Sequence, residues 1–426
     1  MKLWDKGYHI NNLVEKFTVG QDRILDLKLA RFDILGSMAH AEMLHKTGLL
    51  TDEELENILA VLHKLLQQVE AGTFSIGDAF EDVHSQVEYI LTQELGETGK
   101  KIHTARSRND QVLVDLHLFF KSEIEEIKQL IALLFDTLIE LAQQYSHVIM
   151  PGYTHTQVAM PSSFGLWFSA YAESLIDDVI LLNAAYEIAD QNPLGSAAGY
   201  GSSFPVDRDF TTGKLGFKHL KVSSVAAQMS RGKLEKSLAF AVASVAGTLS
   251  KLANDVILFM SQNFGFVGFP DELTTGSSIM PHKKNPDVFE LIRAKANRLQ
   301  ALPNDILLIT NNLTTGYHRD FQLLKEIMFP ALDELKEILE VTRFMLTHIR
   351  VNENIMDNPL YDSIYSVELV NRLVREGMSF RDAYRETAKR IKEGTYEPPK
   401  ELNHTHKGSI GNLALDDIQS KFRHYF

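Results

Sequence analysis

The sequence predicts a mainly α fold organised around a central bundle of long helices. Two observations carry that reading. None of the twelve prolines precedes Pro151, and none falls between Pro205 and Pro270. Proline in a helix interior costs about 3 kcal/mol, so such tracts permit long helices. Within 116–147 the apolar residues Leu116, Phe119, Phe120, Ile124, Ile127, Leu130, Ile131, Leu134, Leu138 and Leu141 recur at three- and four-residue steps, which makes one helical stripe.

The elements follow in order. Thr51-Asp52-Glu53-Glu54 ahead of Leu55 and Ile58 has the form of a capped helix start, and shorter amphipathic helices fill the stretch before residue 105. The helical pattern continues through 167–189, and 223–262 is a forty-residue tract without proline, rich in Ala, Leu and Val. Periodic stretches longer than ~25 residues predict a bundle with coiled-coil-like packing. Polar, Gly/Pro-rich connections lie at 100–111, 150–163, 191–209 and 264–286. After about Val351 the pattern shortens, and Glu397-Pro398-Pro399 marks a loop. Strand-like alternation is scarce. The economical partition has three regions: an N-terminal helical domain (1–105), the long-helix bundle (106–350) and a small C-terminal helical domain (351–426).

Hydrophobic residues make up 44% and charged residues 23% of the chain, as in ordinary globular proteins. Apolar stretches such as 130–141 are interrupted by Asp136 and Glu140, short of the ~20 residues that span a bilayer. Met1-Lys2-Leu3-Trp4-Asp5-Lys6 lacks the apolar segment of a secretory leader. The absence of cysteine excludes disulfides, thiolate metal sites and a cysteine nucleophile. A cytoplasmic location is expected. A net charge of −13 disfavours nucleic acid as a partner, and no membrane partner is expected. The histidines show no metal-ligand spacing and no cofactor motif is present, so no metal and no cofactor are expected.

The segment Gly276-Ser277-Ser278-Ile279-Met280-Pro281-His282-Lys283-Lys284-Asn285-Pro286-Asp287 carries the chemistry. Gly276 and the small hydroxyl residues give backbone freedom suited to a lid. Asn285-Pro286-Asp287 predicts a helix start with Asn285 as N-cap. The helix then turns Val288, Leu291, Ile292 and Leu299 inward and stops at Pro303. A helix N-terminus beside Lys283 and Lys284 can hold a carboxylate. Arg106 and Arg108, within 103–112, can grip carboxylates with two prongs. Gln322 and Lys325 are three apart on one helix face and can reach one ligand. His155 sits where two long helices meet.

The segment 276–287 resembles the signature of the fumarase/aspartase lyases (Ser-Ser-x-Met-Pro-x-Lys-x-Asn) at every fixed position, and Gly152-Tyr153-Thr154-His155-Thr156-Gln157 is similar to a second signature region. His103-Thr104-Ala105-Arg106-Ser107-Arg108-Asn109-Asp110-Gln111-Val112 and the stretch 317–326 look like the argininosuccinate lyase branch of that superfamily. The resemblance implies β-elimination of argininosuccinate to arginine and fumarate, as in arginine biosynthesis. It makes Ser277 the general base and places Lys283 and Asn285 on the carboxylate that gathers charge. It makes His155 the acid-side group with Glu290 as its carboxylate partner, and Arg108, Asn109, Thr154, Tyr317, Gln322 and Lys325 substrate contacts. Glu81-Asp82-Val83-His84 resembles a cleft-lining segment, so His84 is a possible cleft residue, with capping or packing as the other reading. Asn192-Pro193-Leu194-Gly195-Ser196 reads as structural. The resemblance also implies a homotetramer with a 20-helix-type core and active sites shared between subunits.

One position departs from the pattern: Gly20, in Phe17-Thr18-Val19-Gly20, stands where the family has a substrate-binding serine. A lost hydroxyl is worth about 0.5–1.5 kcal/mol, which leaves room for a substrate acylated on its α-amine. The superfamily also includes adenylosuccinate lyases and crystallin-like structural proteins. The arginine-rich segment 103–112 and the stretch 317–326 count against the first, and the retained His155, Ser277, Lys283 and Glu290 count against the second.

Overall fold

The computed structural model describes residues 11–426 and is mostly helical. It divides into two compact units. The first comprises, in its described part, residues 11–127 with Leu181–Ser244 and Arg298–Leu335; the second comprises Lys128–Ile180, Val245–Asn297 and Lys336–Phe426.

In the first unit the helices Ala30–Lys46, Asp52–Glu70 and Val83–Leu95 enclose a core of Ile34, Leu44, Ile58, Leu62, Leu65, Val87 and Leu91. The expected cap is present in full. Thr51 Oγ1 accepts the Glu54 N–H, and the Glu54 side chain accepts the Thr51 N–H. Asp82 caps the Val83–Leu95 helix by accepting the Ser85 N–H at 2.8 Å. The second unit is rich in aromatic contacts. Phe135 stacks on Phe422 at 3.9 Å, and Asp255 accepts from Trp167 Nε1 and the Tyr171 hydroxyl at 3.1 and 2.7 Å.

Three long helices form as the proline-free pattern anticipates, Arg108–Gln144, Phe164–Ala189 and Lys233–Met260, and a fourth, Leu323–Leu346, forms without that signal. Of the stripe on the first, Leu116, Phe119, Phe120, Ile124, Ile127, Ile131, Leu134, Leu138 and Leu141 are buried. Lys233–Met260 is long and apolar enough to cross a membrane by length and composition. Its Leu238, Val242, Val245, Leu249, Leu252 and Val256 are instead buried in the protein.

Several boundaries depart from expectation. The 223–262 tract is two helices, because Gly232 takes φ +77° between Ser224–Gln228 and Lys233–Met260. A Cβ at Gly232 would lie 2.6 Å from Thr310 Cγ2, so the close approach demands glycine. The connection at 150–163 is an antiparallel hairpin, Ile149–Thr154 with Gln157–Ser163. The helix after the signature loop runs Asp287–Leu299, and Pro303 lies in the first turn of the next helix, Leu302–Thr310. Ile292 and Leu299 face inward as expected, but Leu291 is 62% exposed and the inward face is completed by Phe289 and Ala296. Pro330 is accommodated inside Leu323–Leu346, against the rule that proline ends a helix.

Candidate active site

The expected site residues fall into two groups, each within one unit. In the first unit a cavity is lined by His84, Arg108, Asn109, Tyr317, Gln322 and Lys325, together with Asp22, Asp26, Glu81, Asp82, Arg231 and Arg319.

Arg108 opens the longest helix, and the chain before it is pinned from below. Asp110 accepts N–H bonds from Ser107, Gly195 and Ala197 at 2.8–3.0 Å, which gives 192–196 the structural role its sequence indicates. Arg108 Nη1 then reaches Asp82 at 3.1 Å and Glu81 at 3.6 Å, while Nη2 donates to Ser85 Oγ at 2.6 Å. Arg106 is buried and donates to Ser37 Oγ at 3.0 Å, away from the cavity lining.

Gln322 and Lys325 enter the cavity from a single-turn 3-10 segment and the start of the following helix. Gln322 Nε2 donates to the Thr18 and Val19 carbonyls, each at 3.0 Å. Lys325 is almost fully buried, with Nζ 2.5 Å from Asp26 Oδ1 and 2.7 Å from Asp22 Oδ1. Burial alone would lower its pKa; Asp26 and Asp22 outweigh burial and raise it, so the ammonium stays charged. Arg231, unremarked in the sequence, is paired with Glu235 at 3.0 Å and donates to the Phe321 carbonyl at 2.6 Å. It thereby fixes the segment that carries Tyr317 and Gln322.

His84 lies along the cavity and is buried. Its Nδ1 is 2.8 Å from Asp33 Oδ1 and 3.6 Å from Asp115 Oδ2. Desolvation pulls its pKa down, but Asp33, Asp115 and Asp82 pull harder and raise it to about 9. Contrary to the sequence reading, the three side chains do bring ligand-type atoms within 4.8 Å of one another. The spacing 33/84/115 resembles no metal motif, and an imidazolium can answer the two carboxylates without an ion. A pH dependence follows. Because the folded pKa lies above the ordinary 6.5, the stabilisation is complete below pH 6.5 and is lost as pH rises through about 9, on the order of 3 kcal/mol in all. The melting temperature should therefore fall between pH 7 and 9.5. His84→Gln should flatten this slope, and an equal slope in the variant would refute the assignment.

Gly20 has a conformational reason. Its backbone takes φ +54°, ψ −128°, a region closed to residues with a Cβ, and an added Cβ would lie 3.2 Å from Glu326 Oε1. A serine here requires a different local chain path.

In the second unit a cavity is lined by Met280, His282, Lys283, Lys284, Asn285 and Glu290 among others. The loop above it is stapled at its ends. Asn285 N–H donates to the Thr275 carbonyl at 2.8 Å, and Asn285 Nδ2 donates to Thr275 Oγ1 and the Gly276 carbonyl, each at 3.2 Å. Asn285 is thus not the N-cap that its sequence position suggested; its amide closes the loop, and the helix begins at Asp287. Ser277 Oγ accepts the Ile279 and Met280 N–H groups at 3.3 and 3.2 Å. Lys284 is paired with Asp271, whereas Lys283 is exposed. Glu290 lies exposed in the first helical turn.

Thr154 and His155 lie at the exposed tip of the hairpin that connects Arg108–Gln144 to Phe164–Ala189 along the chain. His155 and Thr156 both have positive φ, 52° and 58°, as the two central residues of a tight hairpin turn require. Within the chain the His155 ring forms no hydrogen bond with Glu290. Asp22, Asp26, Asp33, Asp115 and Arg231 were missed by sequence reasoning. Asp33 and Asp115 are charges within long helices, a weak signal, whereas Asp22 and Asp26 in short polar turns of helix and Arg231 in a turn gave none.

A scaffold of long helices bearing a Ser277–Lys283–Asn285 loop defines a lyase of the fumarase/aspartase kind. The family model described as "Lyase" matches residues 9–301, and the chain belongs to that family. The argininosuccinate lyase of Bacteroides thetaiotaomicron is 58% identical, with 98% of this chain and 94% of that protein covered. The argininosuccinate lyase of Thermotoga neapolitana is 43% identical over 91% of this chain and 98% of its own length. Among solved structures, EDDS lyase in complex with formate superposes with a TM-score of 0.78 at 21% identity, covering 98% of this chain and 91% of that one. The last likeness concerns the fold alone.

Proposed function

We propose that this lyase acts on argininosuccinate, releasing fumarate and arginine. The carrying observation is the 58% identity to an argininosuccinate lyase across 98% of the chain. The reaction assigns each site residue a role. Ser277 removes the proton from the carbon next to a succinyl carboxylate, those electrons form the double bond, and the carbon–nitrogen bond breaks. The guanidino nitrogen leaves with a proton delivered from the His155 side, with Glu290 as that residue's partner. Two loop N–H groups already point at Ser277 Oγ, and such donors favour the oxyanion a serine base needs. Lys283 and Asn285 hold the carboxylate as its charge grows. Arg108, Asn109, Thr154, Tyr317, Gln322 and Lys325 bind the substrate.

The site is completed in a homotetramer, each active site drawing on several subunits. Phe240, Leu291 and Phe344 lie 54%, 62% and 50% exposed on helices, apolar surface that subunit packing would cover. We retain the partition at residues 105 and 350 and a cytoplasmic location on the same reading. Mixing the protein with argininosuccinate and following fumarate absorbance tests the function. Fumarate should accumulate, and none at micromolar protein would reject it.

A further inference from the structure

Resting on the argininosuccinate reading, we propose that Asp22 recognises the α-ammonium group at the amino-acid end of the substrate and sets the preference for a free amine. The two ends of that substrate differ in charge. The succinyl half is a dianion, suited to the loop bearing Lys283, and the amino-acid end is a zwitterion.

The charges around the first-unit cavity can be paired off one by one. Arg108 faces Asp82 and Glu81. Arg231 faces Glu235. Lys325 donates to Asp26, whose other oxygen takes the Val83 N–H at 3.4 Å. Two charges are less fully answered. Arg319 donates only to the Thr18 carbonyl and to Gln322 Oε1, and has no carboxylate partner among the described residues. Asp22 Oδ1 lies 2.7 Å from the Lys325 ammonium, which Asp26 already holds at 2.5 Å, so the two carboxylates share one cation.

One ammonium against two carboxylates leaves a surplus negative charge in a largely dry place. Burial pushes the Asp22 carboxyl up to about 6, as expected of a carboxylate that lacks part of its counter-charge. A carboxylate that must share its cation and a guanidinium with no carboxylate partner among the described residues, in one cavity, form the complement of an amino-acid head group. The α-ammonium goes to Asp22 and the α-carboxylate to Arg319. Asp22 also follows Gly20 by two residues, so it supplies polar contact beside the position where the family's serine is missing.

The test compares kcat/KM for argininosuccinate and for the analogue with hydrogen in place of the α-ammonium, in the wild-type enzyme and in Asp22→Asn. The smaller analogue removes the charge without adding bulk. Wild type should prefer argininosuccinate by about 100-fold or more, since a site left with an unpaired buried charge rejects the analogue. Asp22→Asn should shrink that preference to within about tenfold, through a raised KM for argininosuccinate and little change for the analogue. Parallel losses for both substrates would overturn the proposal and make Asp22 only a support for Lys325. The wild-type arm needs no folded variant: equal use of the two substrates would also overturn it. Absence of fumarate from argininosuccinate in wild type would instead strike the underlying functional reading.

Discussion

Ser277→Ala should lower kcat for fumarate release by about 1000-fold or more while leaving the melting temperature within about a degree. The activity loss follows from the role assigned to the hydroxyl. It is the only group on the loop with two backbone N–H groups already aimed at its oxygen, and alanine removes the atom that takes the proton. Removing one preorganised oxyanion contact alone typically costs about 100- to 1000-fold, and loss of the base adds to that. Stability should be nearly untouched because the loop is largely exposed, and surface substitutions generally fall within about 0.5 kcal/mol. KM should change little, since Lys283 and Asn285 remain. A variant retaining more than a tenth of wild-type turnover would remove Ser277 as the base.

Lys325→Met should be the most destabilising single change at the site. The side chain is 5% exposed and lies against Asp22 and Asp26, of which Asp26 is 1% exposed. Methionine fills similar space but leaves both carboxylates without their cation. Deleting one partner of a buried ion pair costs about 3–5 kcal/mol, because the remaining charge is stranded. For a chain of this size that corresponds to a melting temperature lower by roughly 3–6 °C. The penalty also has a pH sign. Stranded carboxylates have raised folded pKa values, so protonation relieves them, and the deficit should be smaller at pH 5 than at pH 8. Thermal melts of both proteins at the two pH values measure this directly. A deficit independent of pH would mean that the two carboxylates are neutral or solvated in the native protein.

The long helices were legible because the pattern that specifies them is local. A three- to four-residue repeat without proline says helix, and Arg108–Gln144 buries the residues its stripe named. The hairpin at 149–163 was not legible. Its turn is formed by His155 and Thr156 rather than by glycine, so no turn residue announced it. The break at Gly232 was hidden for a related reason. A lone glycine in an apolar tract is ordinary, and only the approach of Thr310, far along the chain, makes this one obligatory.

By itself, the sequence determined the helical class, the loop bearing Ser277, Lys283 and Asn285, and the membership of the lyase family, because each depends on residue types at short, fixed spacings. The tertiary structure alone decided which charges meet. Lys325 is answered by Asp22 and Asp26 across some 300 positions, His84 by Asp33 and Asp115, and Arg231 reaches the carbonyl of Phe321. Electrostatic energy depends on distance and burial, not on separation along the chain, so these partners cannot be read from spacing. The same holds for Gly20, whose absence of a side chain is a departure in the sequence and a backbone requirement in the fold.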